Sequence, residues 1–227
     1  MLNIVIPVYN EGENIAKVYQ EIRAKIATPH QIMIVYDMDD DDTLPVVREL
    51  QKTDHRLVLI KNIYGGGVLN AIKSGFHCAS DGPCLVLMGD LSDDLSTVEQ
   101  MVEKYNQGYK VVCGSRYMKG GRHIGGPFFK KLLSRLAGMS LHFISGIPTH
   151  DVTNNFKLYD KALIEEIDLK SRGGLEIAME ITVKAYKKGY PICEVPTIWN
   201  DRTSGKSRFR LWKWLPYYLK WYLYALF

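Results

Sequence analysis

The sequence predicts an α/β fold built on a mostly parallel sheet flanked by helices. Short runs rich in Val and Ile, each the length of a strand buried on both faces, recur at 2–7, 31–36, 57–61, 84–88 and 110–113. Segments with helical spacing lie between them: Ile15, Val18, Tyr19, Ile22 and Ile26, then Leu69, Ile72, Gly75, Phe76 and Ala79, then Leu95, Val98, Met101, Val102 and Tyr105. Strands that alternate with helices pair in parallel, because each crossover returns the chain to the same end of the sheet. Such a sheet binds ligands beyond the carboxyl ends of its strands, so the residues just after each run carry the functional reading.

Past about residue 115 the alternation stops. A Gly-rich basic stretch at 119–131 leads into an apolar helical segment at 132–144, and a further helix at 175–188 ends at Gly189. An alternating strand at 192–198 is expected on a sheet edge. From Arg202 onward there are six Lys/Arg and no acidic residue, and Trp212, Trp214 and Trp221 fall together with Tyr217, Tyr218, Tyr222, Tyr224 and Phe227. Rings that bury their bodies beside basic groups suit the headgroup level of a bilayer, so a C-terminal amphipathic helix on a membrane surface is expected. Residues 211–227 fall short of the ~20 needed to span and include two Lys and Pro216. Docking on the domain itself, or on a second copy in a homo-oligomer, is the alternative. The expected division is a domain at 1–207 and a tail at 208–227.

With 227 residues, 46% hydrophobic and 24% charged, the chain has the composition of a globular domain and not of a disordered, collagen-like or membrane-embedded one. A formal charge of +4, interspersed along the sequence, gives no argument for a nucleic-acid partner. The four cysteines form no C-x-x-C pair, and Cys84 and Cys113 sit in strand-like runs, which fits packed thiols in a reducing compartment. The first apolar run has no basic flank and contains Asn3 and Pro7, unlike a secretory signal. A cytoplasmic protein at the inner membrane face is the expectation.

The first strand runs into Pro7, Tyr9, Asn10 and Glu11, and the second into Asp37 followed by acids at 39–42. An aromatic face and a carboxylate at strand ends can read a base and ribose hydroxyls; Asn10 and Asp42 serve equally as helix caps. The fourth strand ends in Met88, Gly89, Asp90, Leu91, Ser92, Asp93 and Asp94. A hard divalent cation bridging a diphosphate wants one or two carboxylates and leaves its other positions to phosphate oxygens and water, and Asp90 with Ser92 or Asp93 can supply that set. Asp93 and Asp94 are also caps for the next helix. Gly65, Gly66 and Gly67 before the Leu69 helix lack dinucleotide-fingerprint spacing.

In order, Pro7-Val8-Tyr9-Asn10-Glu11, the acidic loop 37–43, Gly67-x-x-x-Ala71-x-x-x-Gly75, Met88-Gly89-Asp90-Leu91, Gly114-Ser115-Arg116-Tyr117, Asp151-x-x-Asn154-Asn155-Phe156-Lys157, Glu194-Val195-Pro196 and Arg202-x-x-Gly205-Lys206-Ser207 cover nearly the whole chain. The set resembles family-2 glycosyltransferases, and within them the dolichyl- or polyprenyl-phosphate mannose and glucose synthases. The resemblance implies a GT-A fold that moves a hexose from a GDP- or UDP-sugar to a polyprenyl or dolichyl phosphate with inversion, aided by Mg2+ or Mn2+. It implies Pro7, Tyr9, Glu11 and Asp37 at the base and ribose, with Asn70, Met88 and Gly89 in the same nucleotide pocket. It implies Asp90 at the metal and diphosphate, and Arg116, Lys130, Ser134, Arg202 and Lys206 around the acceptor phosphate. Three positions depart from the family pattern: Tyr36 and Met88 stand where the first acids of two pairs are usual, and Ser92 replaces a frequent glutamine.

A phosphate monoester acceptor is already ionised at neutral pH, its second pKa lying near 6, and needs no general base. A sugar-hydroxyl acceptor needs one, for which Asp151 is the candidate; the same carboxylate could instead order the turn at 154–157 or pair with an Arg. A non-catalytic membrane-surface protein of the same fold is the remaining alternative, motivated by Tyr36 and Met88.

Overall fold

Five of the apolar runs become strands: β1 (Leu2–Pro7), β2 (His30–Tyr36), β3 (Leu57–Lys61), β4 (Pro83–Val86) and β5 (Val111–Ser115). The computed structural model describes residues 1–201 and 211–227, so Arg202 and Lys206 of the expected acceptor group lie outside the described residues. Between the strands run α1 (Gly12–Lys25), α2 (Thr43–Gln51), α3 (Val68–Cys78) and α4 (Val98–Asn106). Then come β6 (Arg122–Ile124), α5 (Phe128–Ser145), β7 (Lys157–Asp160), α6 (Lys161–Glu166), α7 (Ile177–Lys187), β8 (Ile192–Pro196), β9 (Ile198–Asn200) and α8 (Leu211–Leu226).

Seven strands form one sheet in the order β3-β2-β1-β4-β7-β5-β8, parallel throughout except for β7, which runs antiparallel to both neighbours. Alternation along each strand sends Ile4 and Ile6 to one face, under Ile15, Ile22, Val98 and Met101, and Val5 to the other, under Ile72, Phe76 and Ile181. The sheet therefore has helices on both faces, and the carboxyl ends of β1, β2, β4 and β5 open on one edge.

One strand has no counterpart in the sequence reading: the four residues of β7 insert between β4 and β5 and are buried, Lys157 included. A short run beginning with a lysine has no apolar signature, which hid it. The tail helix α8 packs one face between α5 and α7, where Trp221 (2% exposed) and Ala225 meet Leu141, Val152, Met179 and Val183. Gly173 and Gly174 let it come close, since a Cβ on either would lie within 2.7 Å and 2.4 Å of the Tyr217 and Trp214 rings. The Trp221 indole N–H donates to Ser171 Oγ at 3.1 Å. Leu219, Leu223 and Phe227 are left exposed, and Tyr217 and Tyr224 partly so.

Candidate active site at the carboxyl edge of the sheet

The loops after β1 and β2 are laced together by acids that sequence spacing left open between capping and ligand roles. Asp41 Oδ2 accepts from Asn10 N–H (3.1 Å), Asp42 Oδ1 from Gly12 N–H (2.8 Å), and Thr43 Oγ1 from Glu11 N–H (3.0 Å). Asp39 pairs with Lys61 at 2.6 Å. Asp41 and Asp42, with Thr43, thus hold the loop that carries Glu11, whose Cγ lies 3.6 Å from the position of a Cβ on Gly89, while Asp39 pairs at the surface. Pro7 ends β1 in the interior and Tyr9 stands exposed just beyond it.

Asp37, at the end of β2, accepts from Asn62 Nδ2 (2.8 Å) and from the backbone N–H of Gly67 (2.7 Å), so it anchors the glycine turn that opens α3. Asn70 closes the same turn by donating to Tyr64 O at 2.9 Å. A cavity of about 300 Å³ beside it is lined by Gly66, Gly67, Asn70, Ser171, Arg172 and Gly173, among others.

After β4 the chain passes through Met88 and Gly89 to Asp90, which is 8% exposed and accepts from Ser92 N–H at 3.1 Å. Leu91 has φ +61°, and Asn10 has φ +52°; these are the only non-glycine residues in the left-handed region among the described residues, and both sit in site loops. A β-carbon there costs on the order of 1–3 kcal/mol, which the surrounding loops must sustain. Asp93 Oδ2 faces Met88 N–H at 3.4 Å, and burial together with the charge of Asp90 pushes its acid up to about 7. Two neighbouring carboxylates that repel each other, with a serine between them, suit a hard divalent cation. Among the described residues no group of three or more His, Cys, Asp or Glu side chains gathers around a metal position. Two carboxylates and a hydroxyl would leave most positions of such a cation to other oxygen donors, such as a phosphate.

At the end of β5, Arg116 is forked side-on to Asp151: Nε donates to Oδ2 at 2.7 Å and Nη2 to Oδ1 at 2.9 Å, while the Arg116 backbone N–H adds a third bond at 3.0 Å. Asp151 is fully buried. Burial alone would raise its pKa, but the Arg116 charge and hydrogen bonds outweigh that and hold the carboxyl below its usual range. Burial likewise works against the Arg116 charge and is more than offset by Asp151. A carboxylate so engaged cannot take a proton from a sugar hydroxyl without releasing Arg116. The fork leaves the Nη1 edge of the guanidinium turned away from Asp151, and its charge also reaches Asp93 across the site.

The Arg116 guanidinium lies 5.1 Å over the Tyr117 ring, and the Tyr117 hydroxyl bonds Ser134 on α5 and His123 Nδ1 on β6 (3.1 Å). Lys131 donates to His123 O at 2.6 Å. Burial, then the Arg116 and Lys131 charges, lower His123 to about 4, so the ring is neutral at pH 7. His123 also meets Trp199 edge-on at 4.6 Å. The structure thus brings Arg116 and Ser134 together through Tyr117, with Lys130 one turn before Ser134 on α5. Tyr117, His123 and Trp199 were not singled out by sequence. Tyr117 follows Arg116 directly, but nothing in the local pattern at Trp199 announces that β9 crosses from the loop after β4 to β6. Backbone bonds from Asp94 N to Ile198 O (3.2 Å), from Asn200 N to Ser92 O (2.9 Å) and from Asp201 N to Ile124 O (2.9 Å) make that crossing.

The chain is 30% identical over 215 residues to the dolichol-phosphate mannosyltransferase of Pyrococcus furiosus, covering 92% of this chain and 59% of that protein. It is 26% identical over 211 residues to the polyprenol monophosphomannose synthase of Mycolicibacterium smegmatis, covering 90% and 79%. It therefore spans well under two thirds of the archaeal relative. Among solved structures, glucosyl-3-phosphoglycerate synthase from Mycobacterium tuberculosis, in complex with Mn2+, UDP-glucose and phosphoglyceric acid, superposes with a TM-score of 0.71 over all of this chain and 79% of the other, at 13% identity. That likeness shows the fold, the GT-A arrangement the motifs imply. The Glycosyl transferase family 2 model matches residues 3–168, and the chain belongs to that family.

Proposed function

We propose that the chain transfers a hexose from a GDP- or UDP-sugar to a polyprenyl or dolichyl phosphate, with inversion at the anomeric carbon. The observation that carries this reading is the placement of an anion-binding guanidinium, Arg116, beside a pair of carboxylates, Asp90 and Asp93, at one sheet edge. One side suits the departing diphosphate with its cation, the other an incoming phosphate.

In this reading Tyr9, Glu11, Asp37 and Asn70, with Pro7, Met88 and Gly89 shaping the floor, hold the nucleotide. Asp90, Ser92 and Asp93 hold the metal. Mg2+ or Mn2+ there supplies charge stabilisation for the leaving diphosphate. Arg116, Lys130, Ser134, Arg202 and Lys206 gather the acceptor phosphate and bring its oxygen to the face of the sugar opposite the leaving group. Proximity and fixed charge are what the protein contributes, since the nucleophile is already an anion. Asp151, the base a sugar-hydroxyl acceptor calls for, is committed to Arg116, which favours the phosphate acceptor.

The acceptor side of the fold is also its apolar, basic side. Between Glu103 and Asp151 the sequence has no acid, and Arg116, Lys119, Arg122, Lys130, Lys131 and Arg135 fall in that interval. Phe128 and Phe129 at the start of α5 are 69% and 72% exposed, and Phe143 and Ile144 near its end are similarly open. With the outer face of α8 they form a surface suited to the headgroup level of an anionic membrane. Among the described residues no helix is long and apolar enough to cross a membrane. The surface that sequence assigned to residues 208–227 alone is thus shared with α5.

Incubating the protein with a panel of GDP- and UDP-hexoses, polyprenyl phosphate and Mg2+ or Mn2+ tests the reading. It predicts sugar label in the organic phase for at least one donor, dependent on the cation. Label that stays in the aqueous phase with every donor, or that appears on a soluble sugar, contradicts it.

A further inference from the structure

Asp151 is not held in place by Arg116 alone. Its backbone N–H donates to Thr149 Oγ1 at 3.1 Å, and the Thr149 hydroxyl donates in turn to Glu194 Oε2 at 3.1 Å. Glu194, on β8, also accepts from the His150 backbone N–H (2.7 Å) and from His150 Nδ1 (2.6 Å). From below, the fully buried Lys157 donates to the carbonyls of Asp151 (3.3 Å), Val152 (3.1 Å) and Asn154. One carboxylate therefore takes the Thr149 hydroxyl and the His150 donors, and one ammonium takes the carbonyls of Asp151, Val152 and Asn154. Thr149, Asp151 and Lys157 have no solvent exposure.

The same turn bears on α5. Gly138 lies so near that a Cβ there would be 2.1 Å from the His150 carbonyl oxygen, and the His142 and His150 rings stack 4.0 Å apart. The helix carrying Lys130 and Ser134 and the turn carrying the partner of Arg116 are thus pressed into one assembly.

We propose that Thr149 and Glu194 are positioning residues for acceptor use: the hydrogen-bonded series Glu194, Thr149, Asp151, Arg116 fixes the guanidinium where the acceptor phosphate arrives. The inference rests on the acceptor role given to Arg116 above. Neither Thr149 nor Glu194 faces the substrates; each acts through Asp151. A buried, fully satisfied network restricts its members to one arrangement, and a displacement of about 1 Å at a reacting group can cost roughly a hundredfold in rate.

Thr149→Val keeps the shape and removes the hydroxyl that links Asp151 to Glu194; Thr149→Ser keeps the hydroxyl. The expected result is a loss of about tenfold or more in kcat/KM for polyprenyl phosphate with Thr149→Val, substantial recovery with Thr149→Ser, and an unchanged Kd for the nucleotide diphosphate in both. In an Arg116→Ala background, Thr149→Val should cost nothing further. Glu194→Leu, which removes the oxygen that accepts from both the Thr149 hydroxyl and the His150 N–H, gives a second series should Thr149→Val not fold. Equal losses in both backgrounds, or no loss in the wild-type background, overturn the proposal. If Arg116→Ala itself leaves acceptor use intact, it is the acceptor role of Arg116 that fails, a result distinguishable from the first two.

Discussion

The side chain of Arg116 meets that of Asp151 in a two-point fork of 2.7 and 2.9 Å, with Asp151 sealed from solvent. In the proposed reading this pairing makes Asp151 a holder of charge and not a proton acceptor. Asp151→Asn should lower kcat/KM for the acceptor by at least tenfold while the nucleotide Kd stays within twofold. It should also cost about 3 kcal/mol of stability, the usual consequence of leaving one member of a buried pair unmatched. Thermal melts and acceptor kinetics on the same variant check both. The folded carboxyl titrates below its ordinary value of 3.8, so the stability it contributes is full above about pH 4 and is lost only as pH falls further.

Asp90→Asn is nearly isosteric but removes the charge that the proposed reading sets against a cation. Transfer should fall by two orders of magnitude or more with the melting temperature nearly unchanged. In the wild-type protein, calorimetry should find Mg2+ or Mn2+ binding mainly when a nucleotide diphosphate is present, because Met88 supplies no carboxylate and two acids alone hold a hard cation weakly. Tight uptake of metal by the protein alone would contradict this.

His123 titrates near 4 when folded, against an ordinary 6.5. A base whose pKa is depressed by folding takes up its proton more readily in the unfolded chain, so stability is full above about pH 6.5 and declines as pH falls toward 4. His123→Gln should flatten that limb of a plot of melting temperature against pH. An unchanged slope between pH 6.5 and 4 would show that other groups produce it.

Phe128→Ser with Phe129→Ser removes exposed apolar area without opening the core. The double variant should float less with anionic vesicles than wild type, and high salt should weaken both, each basic residue near the lipid being worth on the order of 1 kcal/mol. Deleting α8 is a poorer test, because Trp221 and Ala225 belong to the interior. Identical flotation of the double variant and wild type would remove α5 from the membrane surface.

The parallel strands and the helices over them were legible because their apolar runs are long, uninterrupted and correctly spaced. β7 was not, since its burial depends on partners more than forty residues away and its first residue is a lysine whose charge is satisfied by three backbone carbonyls. Asp90 and Arg116 could be picked out from their place after strand-like runs. The pairing of Arg116 with Asp151 was open in sequence, as one of several fates for that carboxylate. The Thr149 and Glu194 support could not be read at all, because a serine or threonine in a turn and a glutamate in a strand are common and only the fold places them in register. The tail shows the same limit: composition marked it as amphipathic, but only packing reveals that Trp221 faces inward and that Phe128, Phe129 and Phe143 of α5 are exposed along with Phe227 of the tail.

The most direct measurement compares two acceptors in one assay, a polyprenyl phosphate and the same polyprenol without its phosphate, with a nucleotide sugar and Mg2+ or Mn2+ supplied to both. In the proposed reading Arg116 and Lys130 receive an incoming anion while Asp151 is committed to Arg116, which predicts transfer to the phosphate and none above background to the alcohol. Comparable transfer to both, or transfer to the alcohol alone, would show that a proton acceptor operates in this site and that Arg116 does not serve the acceptor.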